Sequence, residues 1–304
     1  MILCCGEALI DMVPVEGGAC FRPLPGGAVY NSAVALGRLG APAGFLWPLS
    51  RDPFAAMLRA PLAEAGVAIN LCPEVDRPTT LAFVTLTGGE ARYDFYDDGT
   101  AGRLFSPADL PPALPDSVEA LLIGGISLVP DPCGATVEAL AAREAGNCPI
   151  FLDPNVRAFF IADAAAHRAR LMRLIRLAAI VKLSADDLAW LWPGRQVLEC
   201  VAEVLSRGPS LVLTTDGANG ATAHRRQGAI TVPSMPVTVA DTIGAGDTFN
   251  AGVMAGLHRL GALSHGRIAD LHRDDLTEAL SLGVRAAAIC VSRPGANPPW
   301  AEEI

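Results

Sequence analysis

Two carboxylates bracket a Gly-Ala-Gly turn in the string Asp241-Thr242-Ile243-Gly244-Ala245-Gly246-Asp247-Thr248-Phe249-Asn250-Ala251-Gly252. An apolar helical pattern follows at once, with Phe249, Val253, Leu257 and Leu260 spaced to share one face. The first N–H groups of a helix lack intrahelical partners and sit at the positive end of its dipole. Gly244, Ala245 and Gly246 therefore predict an anion hole, with the Asp247 carboxylate held beside it. That pairing suits proton abstraction from a hydroxyl while the amides stabilise charge on a transferring phosphoryl group. An ordinary glycine-rich turn with an acid in the first helical turn is the plainer alternative.

The elements needed to position that turn can be read from hydrophobic patterning. Met1–Cys5, Ala120–Ile123, Pro149–Leu152, Ala179–Leu183 and Leu211–Thr214 are short apolar runs of strand type. Helical patterns at Gly134–Ala145, His167–Leu177 and Leu198–Ser206 separate the later ones. Continuous apolar strands alternating with helices imply a parallel sheet covered on both faces. Polar motifs then fall just after strands, where open α/β sheets bind ligands: Asp153-Pro154-Asn155, Ser184-Ala185-Asp186-Asp187 and Asp216-Gly217. Residues 12–25 and 79–96 break the alternation. In the second, Thr79–Thr87, Gly88-Gly89 and Ala91–Tyr96 read as a hairpin. Pro107–Pro115 reads as a surface loop.

The 304 residues suffice for a large α/β domain, and half of them are apolar. A net charge of −9 without a basic run argues against nucleic acid and anionic membranes as partners. No apolar run is long enough to span a bilayer, and the N-terminus lacks the basic flank of a secretory signal. The eight cysteines include no Cys-x-x-Cys pair, so we expect reduced core thiols rather than a zinc site, and a soluble cytoplasmic protein. His258, His265 and His272, near Asp270, Asp274 and Asp275, show no metal-ligand spacing and read as surface polar residues.

Other constellations point to a polyhydroxylated ligand. Asp11 closes Gly6-Glu7-Ala8-Leu9-Ile10-Asp11, and Pro25-Gly26-Gly27-Ala28-Val29-Tyr30-Asn31 runs into a helix. A carboxylate and an amide can grip hydroxyls, and a glycine pair lets a ring approach the backbone. Taken alone, Asp11 could equally be a turn residue and Asn31 a helix cap. Asp153-Pro154-Asn155-Val156-Arg157 could be a turn or could place an amide and a planar guanidinium against a phosphoryl group. Ser184 with Asp187 could be a helix cap, a route to magnesium through water, or both.

Together these motifs, in this order, resemble the ribokinase-like (PfkB) carbohydrate kinases from Gly6 to Ala296. The resemblance implies a three-layer α/β/α fold with a mostly parallel sheet, forming one domain over 1–304. A small β-sheet lid would be inserted at roughly 12–25 and 79–96. It makes Asp247 the catalytic base, and puts Gly244, Ala245, Gly246 and Arg157 on the transferred phosphate. Asp11, Gly26, Gly27, Asn31, Arg92, Tyr96 and Asn155 become sugar contacts, with Phe95 on the same arm and Asp153 in support. Lys182, Ser184, Thr215, Gly217, Gly220, Asn250 and Ala287 become ATP contacts, and Asp187, standing for the family's Glu, a magnesium partner through water. The loop Ser292–Asn297 resembles one that lends backbone oxygens to a monovalent cation such as K+ in some relatives. The variant Lys182-Leu183-Ser184 and the Asp-x-Asn-x-Arg motif resemble the fructokinase-like branch, which implies fructose as substrate and fructose 6-phosphate as product. A 2-keto-3-deoxygluconate kinase and a catalytically inactive sugar-binding regulator are the alternatives, and a homodimer through the lid is the implied assembly.

Overall fold

The computed structural model describes residues 1–15, 18–87 and 90–304, with side chains throughout except at 86, 87 and 90–92. The chain opens on a buried strand β1 (Ile2–Cys5), then β2 (Leu9–Val15) and β3 (Cys20–Gly26), before the first helix α1 (Ala28–Arg38). β4 (Ala43–Leu46), β5 (Leu49–Ser50), α2 (Pro53–Glu64) and β6 (Glu74–Val75) lead to the hairpin arms β7 (Leu81–Thr87) and β8 (Glu90–Tyr96). Next come β9 (Ala120–Gly124), α3 (Cys133–Glu144), β10 (Ile150–Asp153), α4 (Ala164–Leu177), β11 (Ile180–Ser184), α5 (Ala185–Leu191), α6 (Val197–Arg207) and β12 (Leu211–Thr215). The hairpin strands β13 (Ala221–Arg225) and β14 (Gly228–Val232) precede α7 (Ala245–Arg259), α8 (His265–Ala269) and α9 (Arg273–Val291).

Eight strands form one sheet in the order β14-β13-β12-β11-β10-β9-β1-β4. Neighbours from β4 to β12 pair in parallel, and β13 and β14 add antiparallel at the edge. β1, β9 and β10 are buried along their whole length, which is why they read as unbroken apolar runs. One helical layer groups α1, α7 and α9; the other groups α3, α4 and α6. The five strands expected from the sequence, and the three helices between them, are all present within a few residues of their expected bounds.

A separate four-stranded sheet has the order β3-β2-β7-β8. It starts earlier than the apolar pattern implied, since β2 already pairs at Leu9, opposite Gly26. The hairpin turn at Gly88-Gly89 lies outside the described residues. No described helix is long and apolar enough to cross a membrane. The stretch 107–115 is a loop with a short 3-10 turn at Pro107–Asp109.

The helix that opens on the Gly-Ala-Gly turn is placed by backbone-to-backbone packing. A methyl group on Gly252 would lie 2.6 Å from the Cα of Gly283 in α9, and one on Gly256 would lie 2.7 Å from the Cα of Ala279. Gly252→Ala should therefore destabilise the protein by about 1–3 kcal/mol, although alanine favours a helix by about 1 kcal/mol. Gly266→Ala in α8, where an added methyl meets nothing within 4 Å, should be neutral or stabilising. Urea midpoints that do not separate the two variants would refute this account of how α7 is seated.

Candidate active site

At the carboxyl ends of β1, β10, β11 and β12, a cleft of about 500 Å³ is closed on its far side by the start of α7. It lies where β1 sits between β4 and β9, the point at which strand order reverses and open α/β sheets bind ligands. Gly244 enters α7 as its N-cap with φ 76°, a left-handed conformation that glycine adopts freely. A side chain there would also strike Ala296, whose Cβ would lie 2.7 Å away. The Ala245 N–H reaches the Thr242 carbonyl at 3.3 Å. Among the described residues, those of Gly244 and Gly246 have no partner and face the cleft.

Asp247 stands at the third position of α7 and is buried. Asn31 Nδ2 donates to its Oδ2 at 2.9 Å, and Asn155 Nδ2 approaches its Oδ1 at 3.5 Å. Ser32 Oγ donates to the Asp247 carbonyl at 3.2 Å, so α1 grips both backbone and side chain. Asn155 holds φ 44°, unusual for a residue with a side chain. Burial pushes the Asp247 pKa up to about 7; the Asn31 bond opposes this, Asp153 adds to it, and Lys182 and Arg157 oppose it. A carboxyl poised there can both accept and release a proton near neutrality.

Lys182 is buried beneath the cleft, 3.4 Å from both oxygens of Asp153. Burial works against its charge, but Asp153, Asp187 and Asp247 outweigh burial and hold its pKa above the ordinary lysine value. Its Nζ would be 3.3 Å from a methyl on Gly246, so the ammonium sits under the glycine turn. Asp187 forms a capping box at α5: its Oδ2 accepts from Ser184 N (2.8 Å) and Ser184 Oγ (2.6 Å), and Ser184 Oγ accepts from Asp187 N. Its Oδ1 accepts from Val156 N at 2.7 Å, which anchors the loop carrying Asn155 and Arg157. Arg157 is exposed on the cleft wall, with Nη1 donating to the Val156 carbonyl at 3.1 Å.

Across the cleft lie Asp11, Gly27, Tyr93 and Phe95 from the small sheet and its exit into α1. Burial pushes the Asp11 pKa up to about 6. Gly27, at φ 113°, packs so close that a Cβ would lie 2.4 Å from the Glu7 carbonyl oxygen. Gly26 is buried and does not line the cleft; a methyl on it would lie 2.2 Å from Asp11 Oδ2, so it makes room for that carboxylate.

A second, apolar cleft of about 440 Å³ adjoins the first. Thr215, Gly217, Gly220 and Ala287 all line it, as do Val237, Phe249 and Val291. The two clefts share Thr215, Thr242, Ala245 and Gly246, so they meet at the start of α7.

Of the expected site residues, Gly26, Tyr96 and Asn250 line neither cleft. Tyr96 is 64% exposed and absent from the cleft wall. Side chains alternate along β8, so Tyr93 and Phe95 face inward while Tyr96 packs against Phe83 on the outer face. The side chain of Arg92 lies outside the described residues. Asn250 does not reach either cleft; it is buried and donates to Asp153 Oδ2 at 2.6 Å, one layer below. Lys182 and Ser184 line the charged cleft, not the apolar one. Of the histidines first read as surface polar, His258 pairs through Nδ1 with Glu119 Oε2 at 3.0 Å.

Glu7 was missed. Its Oε1 accepts from Ala28 N at 3.0 Å and its Oε2 from Ser127 N at 3.1 Å, so a buried carboxylate caps α1 from the end of β1. An acid directly after an apolar strand was the available signal. Tyr93 and Phe159 were missed because the face of β8 and the fold of the 158–160 turn are tertiary facts.

A buried carboxylate at a helix start, with two clefts that meet beside it, suits a phosphotransferase. The chain matches the pfkB family carbohydrate kinase over residues 1–303 and belongs to that family. A fructokinase of Rhizobium leguminosarum bv. trifolii is 46% identical over 279 residues, covering 91% of this chain and 85% of the relative. Fructokinase-2 of Oryza sativa subsp. japonica is 32% identical over 308 residues, covering 98% and 90%. The crystal structure of fructokinase with bound ATP from Xylella fastidiosa superposes with a TM-score of 0.91 at 28% identity, covering 97% and 93%. Aminoimidazole riboside kinase from Salmonella enterica gives 0.86 at 25% identity, covering 99% and 97%.

The raised Asp247 pKa has a consequence for folding. Between the ordinary aspartate value and about 7, the folded chain binds a proton that the unfolded chain does not. That contribution is complete at acid pH and is lost as pH rises through 7. Asp247→Asn should therefore gain stability over wild type by on the order of 2–3 kcal/mol more at pH 8 than at pH 5. Urea unfolding at both pH values checks this; an equal difference at the two would remove the buried-acid assignment.

Proposed function

We propose that this chain transfers the γ-phosphoryl group of ATP to the primary hydroxyl of fructose, giving fructose 6-phosphate. The observation that carries this reading is Asp247, a base buried to a pKa of about 7 at the junction of a polar and an apolar cleft. The polar cleft suits a sugar: Asp11, Asn31 and Asn155 offer donors and acceptors, and Tyr93 and Phe95 offer ring faces. The apolar cleft suits the base of a nucleotide, with its phosphates leading to the amides of Gly244 and Gly246. The fructokinase relatives on both the sequence and the structure side support fructose among the sugars.

In the reaction, Asp247 Oδ accepts the proton of the sugar hydroxyl as that oxygen bonds to the γ-phosphorus and the bond from that phosphorus to the β-phosphate oxygen breaks, releasing ADP. Asn31 holds the carboxylate in line, and Lys182 below it stabilises the ionised form. The amides at the start of α7, with Arg157 across the cleft, meet the charge that develops on the phosphoryl oxygens. Magnesium, when bound, would neutralise phosphate charge. The donors present fit it through water: Asp187 spends three acceptor sites on protein donors, and Asp186 is exposed on the same wall. A monovalent cation such as K+ belongs to the same reading. Asp241 Oδ2 accepts from Gly295 N at 2.9 Å and so joins the two segments that would share the ion.

The small sheet serves as a lid over the sugar, completing a single kinase domain. Its outer face carries Phe21, Phe83 and Tyr96 in edge contact, with Phe21 and Tyr96 exposed, which supports a homodimer through the lid. Use of ATP and six buried thiols support a cytoplasmic setting.

Asp247→Asn should lower kcat by about 10²–10⁴-fold or more with far smaller changes in sugar and ATP binding. In the wild type, kcat/KM should fall about tenfold per pH unit below about 7, because only the ionised carboxylate accepts the proton. A coupled assay over a panel of sugars, including 2-keto-3-deoxygluconate, with calorimetry for binding, checks both. Near-wild-type turnover by the variant would remove Asp247 from its role. Sugar binding without turnover of any sugar by the wild type would favour a regulatory protein.

The two faces of β8 give a separate check. Tyr93→Ala should raise the fructose KM several-fold, while Tyr96→Ala should leave it within about twofold, since only the first lines the cleft. Equal effects would undo the inner and outer assignment of the lid.

A further inference from the structure

Glu7 is a buried carboxylate at the end of β1 that the phosphotransfer chemistry does not use directly. It lines the sugar cleft, yet both of its side-chain oxygens are turned to backbone. Oε1 accepts from Ala28 N at 3.0 Å and Oε2 from Ser127 N at 3.1 Å. Its main-chain carbonyl accepts from Tyr30 N at 3.3 Å. Two of the first amides of α1 therefore end on this one residue. The N-cap of α1 is Gly27, at φ 113°, which has no side chain to cap the helix.

Two glycines are shaped around the same residue. A Cβ on Gly27 would strike the Glu7 carbonyl oxygen, and one on Gly125, at φ 68°, would lie 2.1 Å from Glu7 Oε1. Ser127 Oγ donates to the Gly124 carbonyl at 2.6 Å and closes the turn that carries Gly125. Glu7 thus joins three pieces of the cleft: the end of β1, the turn after β9 and the start of α1. A carboxyl group offers an acceptor to each of two diverging amides, whereas glutamine offers one acceptor and one donor.

One turn into α1 stands Asn31, whose Nδ2 donates to Asp247 Oδ2 at 2.9 Å. Next to it is Ser32, whose Oγ donates to the Asp247 carbonyl. A short helix moves as a body, so a shift of its first turn reaches both. Burial raises the Asp247 pKa, and the Asn31 bond is the leading force against it; Asp153 adds to burial, while Lys182 and Arg157 oppose it. Those three approach from β10, β11 and the loop after β10, not from α1.

We propose that Glu7 is a positioning residue for phosphoryl transfer: it fixes the first turn of α1 and so holds the Asn31 amide on the Asp247 carboxylate. This rests on the reading of Asp247 as the base, and it makes the strength of that base depend on a residue that acts through α1.

Two variants break the contact from opposite sides. Glu7→Gln keeps the size of the side chain and sets a donor nitrogen against one of the two amides. Ala28→Pro removes the donor at the first position of α1, where helices accept proline. The measurement is the carboxyl carbon resonance of Asp247 in aspartate-labelled protein during acid titration, assigned by its loss in Asp247→Asn. In both variants the Asp247 midpoint should rise by about 0.5–1 pH unit, the worth of one hydrogen bond. At about pH 6, kcat/KM should fall about 3- to 10-fold, and most of that loss should be recovered at about pH 9, since the change is in the ionised fraction. Asn31→Ala should raise the midpoint by itself, and Glu7→Gln should then add nothing to it. A midpoint unchanged in whichever variants fold overturns the proposal, and so does a Glu7→Gln shift that persists at full size without Asn31. Near-wild-type turnover by Asp247→Asn would strike the base reading instead; the titration would still report whether Glu7 governs the Asn31 contact.

Discussion

Burying the carboxylate of Asp247 is the demand that the surrounding structure answers. An isolated carboxylate placed in a protein interior becomes neutral or disrupts its surroundings. Here Asn31 donates to it from α1, and Lys182 lies charged beneath the glycine turn. Lys182 in turn is held charged by Asp153 and Asp187, and Asp153 accepts from Asn250 on α7. The cluster thus ties β10, β11, α1 and α7 through partners that cannot be removed singly without leaving a buried charge unpaired. The close approach of α7 to α9 through Gly252 and Gly256 keeps the helix in register with that cluster.

The arrangement divides the chemistry between two kinds of surface. The carboxyl ends of the parallel strands present the charged groups, because there the backbone leaves the sheet and side chains escape the core. The apolar cleft is built from the loop that follows β12, the segment 234–242 and the two long helices α7 and α9. Both kinds of surface reach the first turn of α7, where unpaired amides face the junction. In the small sheet, strand alternation sorts the side chains: Tyr93 and Phe95 of β8 line the cleft, and Tyr96 is exposed.

Asp247 also illustrates a tension between stability and reactivity. The burial that brings its pKa to about 7 makes its ionised form a cost to the fold near neutral pH. A chain optimised for stability alone would carry asparagine there.

Much of this was legible in the chain before any fold was drawn. Unbroken apolar runs marked the buried parallel strands, because a strand covered on both faces has no polar side to reveal. The Gly-Ala-Gly turn with its flanking acids marked a helix start that lines the cleft, because a positive φ and a close approach leave glycine little competition. Asp11, Gly27, Asn31, Asn155, Arg157 and Lys182 sit in motifs at strand ends or a helix start and line the polar cleft, while Thr215, Gly217, Gly220 and Ala287 line the apolar one. What no local pattern could settle was the company each residue keeps. Tyr96 and Phe95 are neighbours in sequence, yet only the pairing of β8 with β7 decides which faces the ligand. Asn250 belongs to the signature string but turns inward, because three helical residues past Asp247 the side chain points to Asp153 rather than to the cleft. Glu7 looked like a strand-end acid, and its service to Ala28 and Ser127 depends on contacts 21 and 120 residues away. Residue type and spacing determined which groups could do chemistry; the tertiary structure decided their partners, burial and hence their pKa values, because those depend on atoms brought close only when distant segments pack.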